Sequence, residues 1–137
     1  MDKKICRIIA LMLLVCCMLQ TTVFADEIML LNNNTSLTRT VFSISDVGEA
    51  RVTVYFEGYP NVTTNATISI KIEKRTLLLF WSDIVDDTIS VTGESYFDEL
   101  TYQLEDTGTY RCTVEYVISG TGGADDMLTF EDEAEYK

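Results

Sequence analysis

Apolar and polar residues alternate with period two over most of the chain beyond Thr38, which is the mark of half-buried strands. In "EARVTVYFEG", Ala50, Val52, Val54 and Phe56 fall on one face, and Arg51, Thr53, Tyr55 and Glu57 on the other. "ATISIKIEKR" sets Ala66, Ile68, Ile70 and Ile72 against Thr67, Ser69, Lys71, Glu73 and Arg75. "TYRCTVEYVIS" sets Tyr110, Cys112, Val114, Tyr116 and Ile118 against Arg111, Thr113, Glu115 and Val117. Shorter runs predict further strands at Thr40–Ser45, at Thr88–Val91, in "FDELTYQL" with Leu100, Tyr102 and Leu104 inward, and in "MLTFEDEAEY" around Leu128 and Phe130. One run breaks the rule. In "TLLLFWSDIV", Leu77, Leu79 and Trp81 share a face, but Leu78 and Phe80 opposite them are apolar too. A strand covered on both sides reads that way, and so does an exposed apolar patch.

Turn residues separate these runs: Asp46-Val47-Gly48, "GYPN" around Pro60, Gly93-Glu94-Ser95 and "GTGGADD" at Gly120–Asp126. Seven or eight strands, no credible helix and turns every 8–12 residues or so predict an all-β antiparallel sandwich of immunoglobulin-like or fibronectin-III-like type. The stretch "DTGTYRC" sharpens that expectation. A tyrosine two residues before the cysteine position of the F strand folds its hydroxyl back onto backbone upstream, a tyrosine corner. Tyr110 would be that tyrosine, with Asp106 and Gly108 shaping the turn before it. The other hallmarks of an antibody-type domain are missing. No cysteine stands in the second strand, and Trp81 follows the third strand and belongs to a C′-like one.

The order "ATISIKIEKR", Trp81, then "SYFDELTYQLEDTGTYRCTVEYVISGTGGADD" resembles small secreted proteins of clostridia-type Firmicutes that carry a β-sandwich domain of unknown function. The likeness spans roughly residues 48–131 and lies in overall pattern. It implies fold and secretion, and valine as the common residue where Cys112 stands. It carries over no active site.

The first residues change the picture of compartment. Lys3, Lys4 and Arg7 precede an apolar run from Ile8 to Leu19, and Val23-Phe24-Ala25 closes it, as in a secretory signal peptide cleaved after Ala25. The run is shorter than the roughly 20 apolar residues of a membrane span, and a lipoprotein signal would want a small residue before Cys16 or Cys17. The organisation expected is a signal at residues 1–25, a loose leader at 26–37 and one sandwich domain at 38–137. The chain would be secreted, extracellular and free of a transmembrane anchor once processed. Removing residues 1–25 from the 137 leaves 112, and takes away Cys6, Cys16 and Cys17, so Cys112 has no partner for an internal disulfide. It then packs as a small hydrophobe. The remaining chain keeps 7 of 10 Lys+Arg and 21 of 22 Asp+Glu, a net charge of −14 against −12 for the whole. That field disfavours nucleic acid as a partner and favours solubility.

Catalytic constellations are scarce. The chain has no histidine, which removes Ser-His-Asp and Cys-His pairs and histidine-bearing metal sites. Paired carboxylates suited to glycoside hydrolysis arise here from composition alone. Calcium, which takes oxygen donors, is the one candidate cofactor, with Asp83, Asp86 and Asp87 as one loop cluster and Asp125 with Asp126 as another; solvated acidic loops explain the same residues. Tyr55, Tyr59, Phe80 and Trp81, with Leu78, are candidates for an exposed aromatic strip facing an extracellular protein or a glycan. Core filling, or an edge-to-edge dimer, accounts for them as well. The sequons at Asn61 and Asn65 mark turns in the bacterial setting that the resemblance implies. The expectation is a non-catalytic binding or interaction module. A structural or envelope-associated domain, calcium-stabilised or not, is the alternative, and a carboxylate hydrolase is the third reading.

Overall fold

A computed structural model describes residues 32–137, so the expected signal and the first part of the leader lie outside the described residues. Seven strands follow one another: β1 (Thr35–Ile44), β2 (Glu49–Gly58), β3 (Thr63–Thr76), β4 (Phe80–Thr92), β5 (Ser95–Gln103), β6 (Gly108–Gly120) and β7 (Asp126–Tyr136). They form two antiparallel sheets, one in the order β1-β2-β5 and the other β4-β3-β6-β7. The described residues contain no helix, and hence none long and apolar enough to cross a membrane.

Alternation placed the core correctly where it was strictest. Ala50, Val52, Val54 and Phe56 of β2 are fully buried, as are Ile68, Ile70 and Ile72 of β3 and Cys112, Val114 and Ile118 of β6. These side chains, most of them β-branched, stand on the facing sides of the two sheets and interlock there. Tyrosine hydroxyls fasten one sheet to the other. Tyr116 on β6 meets Thr40 on β1 at 2.6 Å, and Tyr102 on β5 donates to Asp87 on β4 at 3.0 Å. At the β5–β6 crossover, Tyr110 donates to the carbonyl of Asp106 at 2.6 Å.

Three expectations change. β1 begins at Thr35, within the expected leader, because Asn33 and Asn34 are pinned rather than loose. The strand expected at Thr88–Val91 is the second half of β4. The apolar run 77–79 is neither a strand nor a covered layer: it is the turn between β3 and β4.

The two ends of the sandwich are built differently. Asp126 accepts the backbone N–H groups of Asn33 and Asn34, each at 2.8 Å. The Asn34 amide in turn donates to the carbonyls of Ala124 (3.0 Å) and Ile118 (3.4 Å) and accepts the N–H of Gly122 (3.1 Å). A side chain on Gly122 would stand 2.0 Å from the carbonyl oxygen of Asn33, and one on Gly120 would stand 2.3 Å from that of Val62. Only glycine lets these segments close so tightly. The polar latch so formed holds the start of β1 against the β6–β7 loop. The opposite end carries the β3–β4 turn.

Candidate functional site

The β3–β4 hairpin is long and ends in apolar residues. β3 pairs with β6 as far as Lys74↔Tyr110 and with β4 as far as Thr76↔Phe80, so the last residues of the hairpin have no partner on the β6 side. Leu77, Leu78 and Leu79 are 86%, 87% and 82% exposed, and Phe80 is 63% exposed. No glycine, asparagine or proline occupies the turn. Leu77 and Leu78 nonetheless take φ of +47° and +66°, and the N–H of Leu79 donates to the carbonyl of Leu77 at 2.8 Å. That two-residue step is a γ-type turn around Leu78, a conformation L side chains disfavour by about 1–2 kcal/mol per residue.

A β-bulge sets what lies beneath the tip. Ile72 pairs with Val85 and Glu73 with Asp83, so Ile84 is the extra residue on β4. The slip reverses the facing of β4. Val85, Asp87, Ile89 and Val91 turn toward the core side, whereas Asp83 and Trp81 turn outward beside Glu73 and Arg75. Trp81 is half-buried, and two guanidinium groups lie over its ring, Arg111 at 4.3 Å and Arg75 at 4.9 Å. Such cation–π stacking tethers both arginines to the indole.

Each cation of this collar has an acidic partner. Arg111 donates Nε and Nη2 to Glu73 at 3.0 and 2.7 Å, and Arg75 reaches Glu133 at 2.8 Å. Lys74 lies 3.2 Å from Asp106 and Lys71 lies 3.0 Å from Asp83. The hydrogen bond to the Glu73 carboxylate holds the Arg111 guanidinium even more firmly charged than usual. The girdle is thus rich in charge and locally balanced.

The expected aromatic strip divides. Phe80 and Trp81 stand together at the tip end. Tyr59 lies in the β2–β3 turn at the far end of β3, roughly 40 Å away along a 14-residue strand. Tyr55 faces outward on β2, where it pairs across to Phe97 of β5 and Arg39 of β1. With Leu37, Val41 and Thr53 these three residues line a shallow groove on the outer side of the three-stranded sheet. Phe97 stands as an aromatic on the polar side of its strand, which is the one signal of this groove in the sequence. A shared patch joining the tip to Tyr55 does not form.

The acidic candidates are also dispersed. Asp83, Asp86 and Asp87 lie in the middle of β4 rather than in a loop. Asp83 pairs with Lys71, and Asp87 faces inward to Tyr102. Asp126 is spent on the latch, and Asp125 is exposed beside it. Among the described residues no group of three or more acidic, cysteine or histidine side chains is placed to hold a metal ion. Asn61 sits at a turn with φ of +61°, whereas Asn65 is already in β3. Cys112 is fully buried, and burial pushes its thiol up to about 12, the reverse of what a nucleophile requires. No protein-family model matches the chain, and no curated protein matches its sequence.

Proposed function

We propose that the chain is a secreted, non-catalytic binding module on an immunoglobulin-like frame, of the kind its resemblance to the small clostridial secreted proteins implies. One observation carries the reading: four consecutive large apolar residues, Leu77–Phe80, stand in water at a hairpin tip where turn chemistry would favour asparagine and glycine. Exposed clusters of this sort mark interaction sites in soluble proteins. The buried thiol and the absence of histidine support a binding role over a catalytic one.

The strand order supports that frame. Lettered in chain order, with β4 as C′, the sheets read A-B-E and C′-C-F-G. A constant-type immunoglobulin domain would keep its fourth strand beside E; here that strand lies beside C. The bond from Tyr110 to Asp106 has the reach of a tyrosine corner, at the E–F crossover where that motif belongs.

The test is a screen of the processed chain against glycans, extracellular proteins and lipid vesicles, with the variant Leu77→Asn/Leu78→Gly run in parallel. Ligands retained by the parent and lost by the variant support a module that binds through the tip. Identical profiles overturn it.

A further inference from the structure

We propose that the Leu77–Phe80 tip inserts into the interface of a lipid bilayer with neutral, zwitterionic headgroups. This rests on the reading that the chain binds through this tip, and it names the partner. Shape is the first argument. The leucines sit on a turn with two successive residues at positive φ, so their side chains splay around a point instead of lining a flat face. A convex apolar point suits a fluid apolar phase better than a preformed protein surface, which would need a matching pit.

The layering below the tip is the second argument. Trp81 lies three residues from Leu78, no more than about 10 Å along the chain, which matches the 5–10 Å to which apolar groups enter the headgroup boundary. Indole rings and arginine stems favour that boundary, with the apolar part inward and the charged ends in water. The stacking of Arg75 and Arg111 on Trp81 puts all three groups at one level.

Charge selects the lipid. Lys71, Lys74, Arg75 and Arg111 are offset one for one by Asp83, Asp106, Glu133 and Glu73, and the whole chain carries a net charge of −12. Nothing in this collar favours an anionic surface, and the protein's field opposes one. The same charge works against a second copy as the occupant. The outer edges of the four-stranded sheet, β4 and β7, carry Asp83, Asp86, Glu131, Asp132, Glu133 and Glu135, so two copies meeting there repel.

Trp81, the single tryptophan of the chain, is a built-in probe. The full chain, expressed with its own leader and purified after processing, is titrated with phosphatidylcholine vesicles. Tryptophan emission should shift to the blue and be quenched by lipids brominated on the upper acyl chain. Partition should persist at high salt and weaken as phosphatidylglycerol is added. Leu77→Asn/Leu78→Gly has the residues the turn geometry prefers, so it folds, and it should partition at least about tenfold more weakly. Because the variant keeps the same N-terminal residues, these cannot account for the difference. Equal partition of parent and variant, no partition at all, or partition that requires anionic lipid each overturn the proposal. So does a parent dimer that the variant dissociates, which would make a second copy the occupant. Ligands from the glycan and protein screen that the variant loses, with no vesicle binding by the parent, would overturn the lipid and leave the binding module standing.

Discussion

The two ends of this sandwich close their chains by opposite means. At the latch end, Asn33, Asn34 and Asp126 join segments more than 90 residues apart through short polar bonds, and glycines at 120 and 122 make room for them. Nearly every buried polar group there has a partner, the Thr35 hydroxyl being the exception. At the tip end, apolar side chains stand in water on a turn that suits none of them. Buried, satisfied polar groups contribute stability when intact and cost heavily when half removed. Exposed leucines at positive φ contribute nothing to the folded state in water. The contrast separates the part of the molecule that holds the fold from the part that is free to do something else.

The sharpest way to break that division is Asp126→Ala. It leaves two N–H groups that were bonded to a carboxylate, each bond worth about 1.5–3 kcal/mol. A loss of about 3–5 kcal/mol in urea denaturation is expected, a large share of the 5–15 kcal/mol typical of a whole domain. A loss under about 1 kcal/mol would show that the latch does not hold the fold.

Between the ends lies a core that titrates only in alkali. Burial raises the Cys112 thiol from 9.0 to about 12 and raises the Tyr102, Tyr110 and Tyr116 hydroxyls above 10.0. These groups stay protonated in the folded chain at a pH where the unfolded chain has already lost its protons. Their contribution is therefore complete below pH 9 and declines as pH rises from there toward 12, with the thiol alone giving a slope on the order of 1 kcal/mol per pH unit. Denaturation midpoints should hold steady from pH 7 to 9 and then fall. Cys112→Val should move the onset up toward pH 10, where the tyrosines begin.

How much of this was legible depended on whether the governing contacts were local. In β2, β3 and β6 an inward apolar residue at every second position left one register open, since a slip by one would expose the whole set. β4 was harder: its inner residues Val85, Asp87, Ile89 and Val91 are only half-buried at a sheet edge, and the bulge at Ile84 flips the facing midway. Inward-pointing Asp87 also breaks the apolar pattern, a device that discourages edge pairing. The turn at 77–79 gave no turn signal because leucine is not a turn former. The latch gave none because Asp126 recognises Asn33 and Asn34 across 93 and 92 residues, and an asparagine cluster alone reads as loop. For the candidate site, the apolar run was visible as an anomaly. Its exposure, and the arginines gathered on Trp81, needed the fold.

A smaller effect probes the β5–β6 crossover. Tyr110→Phe removes the hydrogen bond to Asp106 while keeping the ring in the core, and a loss of about 1 kcal/mol is expected by thermal or urea unfolding. A loss near that of Asp126→Ala would mean that the crossover closes the sandwich as firmly as the latch does.

The smallest effect has the opposite sign, and it decides whether the comparison holds. In Leu77→Asn/Leu78→Gly, the left-handed conformations pass to residues that tolerate them: the glycine gains about 1–2 kcal/mol, and the asparagine, which keeps its Cβ, only about 0.3 kcal/mol. The added freedom of glycine in the unfolded chain takes back about 0.5–1 kcal/mol. Because the leucines are more than four-fifths exposed, their removal forfeits almost no burial. The net expectation is a domain about 1 kcal/mol more stable, read as a higher urea midpoint with an unchanged slope. Replacing the four apolar carbons of a leucine side chain usually weakens a protein, so a gain here would be informative. It would mean that the leucines are kept at the cost of stability, as residues serving an interaction are. A loss instead would place the tip among the contacts that hold the sandwich together, and the two ends would no longer differ in kind.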